Sequence, residues 1–173
     1  MANTDRQIIE SYQINHYIKF KDINDATYIK VTEVNTAETE RENNEFSPEW
    51  IDYKVQPTYA TGSKDTLSLE LSLMGPGGIQ AELFKREDDY NVPVEYVRTV
   101  GYDFATGKPC EDTALTAKHA TAILNVTPIT QEASSAATIA ATLSVNSEYD
   151  YGTFNASTNA YTPTAEVVTA TTE

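Results

Sequence analysis

Few residues in this chain could make or break a bond. Its 173 residues contain two histidines, His16 and His119, and one cysteine, Cys110. That set is too small for a zinc site of the usual imidazole and thiolate kind. A single cysteine also excludes an intrachain disulfide and is consistent with a reducing compartment. Adjacent carboxylates occur at Asp88-Asp89 and Glu111-Asp112. A calcium loop needs oxygen ligands spaced as in DxDxDG, and neither pair has that spacing. Both read as solvated: one at a helix end, one in a turn. His16 and His119 fall in strand-like stretches and read as sheet residues, and Cys110 follows Pro109 in a turn. No glycine-rich phosphate loop and no GxSxG nucleophile elbow occurs. Asn125-Val126-Thr127 and Asn155-Ala156-Ser157 match the glycosylation pattern, but MANTDRQIIESYQ has no basic-then-apolar leader, so both matches read as chance. The residue types therefore predict no catalytic site, no metal and no cofactor.

The charge balance points the same way. Twelve Lys and Arg stand against 26 Asp and Glu, a net charge of -14. Tight binding to nucleic acid needs cations that displace counterions from phosphates, and this chain is poor in them. A surface past which nucleic acid slides without sticking is compatible with that sign. The 11 tyrosines are spread along the chain, which favours packing and subunit contacts over a sugar-binding cluster. No apolar run approaches the ~18 residues of a membrane span.

The elements that carry these residues are mostly strands. After a short helical start, Ile14, His16, Ile18 and Phe20 alternate with polar neighbours. The stretch 27–40 is rich in β-branched residues and reads as a second strand. Residues 38–64 are acidic and read as a long, extended, solvated loop, with a helical turn starting at Ser47-Pro48-Glu49. TLSLELSLM (66–74) has the cleanest pattern: Leu67, Leu69, Leu71 and Leu73 share one face, and Thr66, Ser68, Glu70 and Ser72 the other. GPGG breaks it, and IQAELFKREDD predicts a helix over about 78–89, with Glu82 able to pair with Arg86. Strands follow over 92–104, 114–130 and 138–149, and the Thr- and Ala-rich stretch from Asn155 reads as an arm.

The predicted class is mainly β: an antiparallel β-sandwich or barrel with one flanking α-helix and extended N- and C-terminal arms. The organisation is an N-terminal arm (1–26), a β domain (27–154) and a C-terminal arm (155–173). Four strands, near 28–37, 66–74, 115–127 and 138–149, pair a small apolar face with a Thr, Ser, Asn and Glu face. A surface of that kind is built to stay wet and suits the lining of a channel.

This order of elements resembles the tail tube proteins of long-tailed bacteriophages. The likeness rests on the 27–40 strand, the acidic 38–64 loop, TLSLELSL with its GPGG break and IQAELFKRED helix, and the strands LTAKHATAILNVTP and ATIAATLSVNSEYDYG. It covers about 27–154 and concerns a pattern of elements. The resemblance implies a structural virion protein, not an enzyme, made in the host cytoplasm. It implies hexameric rings that stack into a tube, with DNA ejected through a lumen lined by four strands per subunit. On that reading Lys30, Thr32, Ser68, Glu70, Ser72, Thr121, Asn125, Thr142, Ser144, Asn146 and Glu148 face the lumen. The long loop and the arms then contact neighbouring rings, with Glu38, Glu42, Glu45, Phe46, Trp50, Tyr53 and Tyr59 as the loop's contact residues. Implied partners are further copies, a tape-measure protein, and tail-terminator and distal tail proteins. DNA passes without specific binding, and no membrane is involved. The alternative is a β-sandwich binding module for a glycan or host surface, with the aromatic stretch 50–59 as its only candidate face.

Overall fold

The computed structural model describes residues 8–49, 51, 54–55, 57–75, 78–133 and 135–164. They form a mainly antiparallel β structure with a single α-helix among the described residues. Two compact units share the chain. The first takes residues up to Val31, Glu95–Ala120, and the chain from Glu148 onward; the second takes Thr32–Val94 and Thr121–Ser147.

The second unit is built on leucine alternation. Its strands are β3 (Val34–Phe46), β4 (Tyr59–Ser72), the start of β5 (Val92–Val100), the later part of β8 (Leu115–Thr130) and β9 (Thr138–Val145). They pair in the order β8-β9-β4-β3. Leu67 sits opposite Leu143, and Leu143 opposite Leu124; Leu69, Ala141 and Val126 form the next row, and Leu71 and Ile139 the one after. Every leucine in these rows is buried. Helix α1 (Ile79–Lys85) contacts β9 and buries Ile79 and Leu83 completely. Gly78 opens it at φ 69, a backbone conformation that side chains disfavour. The helix stops short of the expected 78–89. Asp88 and Asp89 would place two negative charges at the negative end of the helix dipole. Glu82 does pair with Arg86, at 2.6 Å, and with Lys85, at 2.7 Å.

The expected loop over 38–64 is instead most of a long β-ribbon. β3 and β4 pair from Val34↔Leu71 to Phe46↔Tyr59, leaving only residues 47–58 as its tip. The acidic run is tolerated because no like charge lies opposite another: Glu38 faces Ser68, Glu40 faces Thr66 and Glu42 faces Lys64. Arg41 and its partner Asp65 form a bidentate pair at 2.6 and 2.7 Å. β9 reaches only to Thr66↔Ser144, so the distal ribbon is two strands wide.

The first unit contains β1 (Ile14–Phe20), β2 (Ile29–Lys30), the rest of β5, the early part of β8, β10 (Asp150–Asn155) and β11 (Ala160–Pro163), ordered β2-β1-β5-β8-β10-β11. A small hairpin joins β6 (Tyr102–Asp103) to β7 (Lys108–Pro109). Its core is aromatic. Tyr17, Tyr28, Val97, Ala117 and Phe154 cluster, with the Phe154 ring 4.3 Å from that of Tyr17 and 5.7 Å from that of Tyr28. Both expected arms contribute to this sheet. Within 1–26, β1 buries Ile18 and Phe20, and within 155–173, β11 pairs with β10. Gly152 is required where they meet, since a Cβ there would lie 2.2 Å from the Thr162 carbonyl oxygen. The hydrogen-bonded order through the chain ends at β2 and at β3, so the sheet is not closed into a barrel within one chain.

Candidate functional site

The candidate site is the face of the second unit's sheet opposite the leucines. Strand pairing lines its residues up across four strands. One row runs Glu38, Ser68, Thr142, Asn125; the next Glu40, Thr66, Ser144, Ile123; a third Thr36, Glu70, Ala140, Thr127. Ser72, Thr138 and Thr130 end the face. These side chains are exposed or half-buried, whereas their alternating neighbours on β4, β8 and β9 are mostly buried.

Membership of β3 in this face depends on one extra residue. Val34 pairs with Leu71 and belongs to the apolar side, yet Thr36 pairs with Glu70 on the polar side. The bulge at Asn35 reverses the alternation. Ser72 Oγ donates to Asn35 Oδ1 at 2.9 Å, and Ser72 N to the Glu33 carbonyl at 3.0 Å. Buried Gln80 braces the same corner: its Nε2 donates to the Ser72 carbonyl at 2.8 Å, and its Oε1 accepts from Met74 N at 2.9 Å. Downstream of the bulge, Glu38, Glu40 and Glu42 lie on the polar side.

Of the residues expected to line a lumen, Ser68, Glu70, Ser72, Asn125, Thr142 and Ser144 come together here. Thr121 and Asn146 sit at the end of the β8–β9 pairing, where Thr121 Oγ1 donates to Asn146 Oδ1 at 2.6 Å. Lys30 and Glu148 belong to the first unit and are not on this face. Thr32 lies between β2 and β3, with its hydroxyl turned to the Glu33 carboxylate. The stretch 28–37, expected as one strand, is thus split between the units. Of the expected loop contacts, Glu38 and Glu42 sit on the polar face. Glu45, Phe46 and Tyr59 flank the ribbon tip, and Trp50 and Tyr53 lie outside the described residues. Alternation already puts Thr66 and Thr138 on the polar side of their strands, whereas sequence reasoning missed Thr36 and Glu40 as members of this face. The signal was the period of two in Glu38, Glu40 and Glu42, which is a strand period.

The face carries Glu38, Glu40, Glu42 and Glu70, with Lys64 as the cation opposite Glu42. The carboxylates of this wet layer repel other anions over roughly 8–10 Å at physiological salt. Among the described residues no group of three or more His, Cys, Asp or Glu side chains could hold a metal ion. His16 is buried in the first unit with Nδ1 2.8 Å from the Tyr96 hydroxyl. Burial, and after it the Arg98 guanidinium, push its imidazole down to about 4. His119 stacks on Tyr161 with its Nδ1 3.5 Å from the Asp150 carboxylate. Cys110 Sγ lies 3.6 Å from Thr116 Oγ1.

No protein-family model matches the chain, and no curated protein does. Solved structures do. A chain of the SPP1 tail tube aligns with TM-score 0.62 at 9% identity, over 80% of this chain and 76% of that one. A chain from the tail of an empty gene transfer agent particle, refined with C6 symmetry, aligns at TM-score 0.58 and 5% identity, over 83% and 98%. A chain from the sheath–tube complex of an extracellular contractile injection system (PVC, extended state) aligns at TM-score 0.55 and 12% identity, over 87% and 95%. At such identities the likeness is one of fold, and the chain has the fold of phage tail tube proteins.

Proposed function

We propose that this protein is a structural, non-enzymatic subunit of a virion tail tube. Copies associate side by side so that their polar faces form the wall of a water-filled bore, and the rings so made stack. The observation that carries this reading is the polar face itself, four antiparallel strands wide and in register. A wet sheet surface of that extent, backed on β4, β8 and β9 by a buried aliphatic layer, suits a conduit wall. Strand β3 supports the side-by-side contact. It is 13 residues long and ends the hydrogen-bonded order, and an edge of that length is a liability until another chain covers it. Six copies per ring is our expectation, supported by the sixfold symmetry of the gene transfer agent tail.

On this reading the cargo is DNA, ejected without specific binding, because the carboxylates of the wall repel phosphates. The further partners are a tape-measure protein within the bore and terminator and distal proteins at the tube ends. The experiment is electron microscopy of the purified protein across a concentration series. Rings or tubes with a central channel are expected. A strictly monomeric particle at the highest concentration overturns the proposal.

A further inference from the structure

The first unit holds a cavity for which a conduit wall has no use. It measures about 470 Å³, within the range of roughly 300–1,000 Å³ for small-molecule pockets. Backbone hydrogen bonds tie its walls together. Gly101 N donates to the Gln13 carbonyl at 2.8 Å, Cys110 N to the Gly101 carbonyl at 3.1 Å, and Ala156 N to the Asp112 carbonyl at 2.8 Å. Leu115 and Ala156 give it an apolar side. A cavity fixed in this way costs little further ordering when a ligand enters.

Five polar side chains that line it, those of Asn15, Tyr17, Lys30, Asp112 and Asn159, make no side-chain hydrogen bond or ion pair among the described residues. Asn15 and Tyr17 are two apart on β1 and so share a face, and Tyr17 sits opposite Lys30 in the β1–β2 register. Tyr17 is only 3% exposed, with its ring packed in the aromatic core, so what it offers the cavity is its hydroxyl. Burial, and after it the Asp112 carboxylate, push the pKa of that hydroxyl up. At neutral pH it keeps its proton and can both donate and accept. The spread of tyrosines along the sequence concealed this arrangement, since only folding brings Tyr12 and Tyr17 beside Asp112 and Asn159.

This mix of groups selects a class of ligand. Lys30 is the lining cation and Asp112 the lining carboxylate. A phosphate would be attracted by one and repelled by the other. One carboxylate and one thiol are too few for a calcium or zinc site. An apolar molecule would strand the amides and the charges without partners. A sugar ring suits them all. Each of its hydroxyls both donates and accepts, and its apolar face can lie on an aromatic ring. Tyr12, 73% exposed, supplies such a ring among the lining residues. We infer that this cavity binds a neutral sugar ring, free or at the end of a glycan. Asp112, Lys30, Asn15 and the Tyr17 hydroxyl bond its hydroxyls, and Tyr12 lies against its face. The site shares no residue with the polar face of the second unit and does not depend on the tube reading.

The test uses the full chain and its single thiol. Cys110 lines the cavity, so its alkylation by iodoacetamide reports occupancy. The probes are glucose, galactose, mannose and N-acetylglucosamine, each with its methyl glycosides; inorganic phosphate and choline are the contrasts. At least one sugar is expected to slow alkylation saturably, with a half-point near about 1–10 mM. Protection by a free sugar and not by its methyl glycosides identifies a free sugar; protection by a methyl glycoside identifies a glycan end. Tyr17→Phe removes one hydroxyl and keeps the packed ring. It should weaken the half-point about fivefold and leave stability to denaturant unchanged, and Asp112→Asn should weaken it about tenfold. If no sugar protects Cys110, or if phosphate or choline protects it in their place, the inference falls. It falls as well if sugars protect but both variants bind like wild type. Tubes without sugar protection sink the sugar site alone; sugar protection without tubes sinks the tube reading alone.

Discussion

The two units solve the same problem, covering a sheet, with different chemistry. The second uses a regular ladder: Leu67, Leu143 and Leu124 in one row, Leu69, Ala141 and Val126 in the next, under a short helix. The first uses individual contacts between distant residues: Phe154 against Tyr17 and Tyr28, His16 to Tyr96, and Glu95 accepting from Tyr28 at 2.8 Å and pairing with Lys19 at 3.3 Å. A ladder spreads its stability over interchangeable aliphatic positions and leaves the opposite face free for any wet residue. A set of singular contacts concentrates stability in a few side chains and makes them sensitive to conditions. Both histidines lie in the first unit.

The largest expected effect comes from removing the hub of the singular set. Phe154 is fully buried, so Phe154→Ala should cost about 3–5 kcal/mol in denaturant unfolding. Hydrogen exchange should speed up in β1, β5 and β10 before β4 and β9. Equal acceleration in both units would erase the contrast between them.

Acid should sharpen the contrast. The unfolded chain binds a proton at His16 near pH 6.5, whereas the folded chain resists it until about 4. His16 therefore contributes fully above about pH 6.5, and its contribution is lost as pH falls from there towards 4. The ceiling is about 3 kcal/mol, at 1.36 kcal/mol per pKa unit. Histidine NMR titration should show one ring titrating far below the usual range. His16→Gln should flatten the stability profile across that window, and an unchanged profile would sink the assignment.

The smallest effect belongs to the ladder's wet side. Replacing Glu38, Glu40 and Glu42 with Gln should change monomer stability by less than about 0.5 kcal/mol each, because no like charge lies opposite and each faces water. A loss above 1 kcal/mol by chemical denaturation would mean these carboxylates do structural work that the pairing does not reveal.

Legibility in the sequence followed the same division. Strict alternation made β4, β8 and β9 readable with their faces, and six of the expected lumen residues do share one surface. The ribbon was obscured because a high density of acid usually marks a solvated loop, and here it marks an exposed strand. The bulge at Asn35 left no trace in composition, so the side on which Glu38 lies could not be read. Lys30 and Glu148 sit in plausible strand-like stretches, but which sheet a stretch joins is decided by long-range pairing. The stretch from Asn155 looked too polar to form a core, yet Ala160–Pro163 pairs with β10. The segment expected as an N-terminal arm buries Ile18 and Phe20 in β1, and Ala156 and Tyr161 of the expected C-terminal arm pack against the aromatic cluster around Phe154.

The extra residue at position 35 makes the chain unusually intolerant of one kind of change. A substitution there alters a single side chain, but a deletion rotates everything from 36 to the ribbon's end by half a turn. That would carry the glutamates to the side of the sheet on which the leucines lie. What natural variation should preserve around this corner is spacing more than spelling, whereas the ribbon's tip is free to lengthen or shorten until another molecule has to fit it.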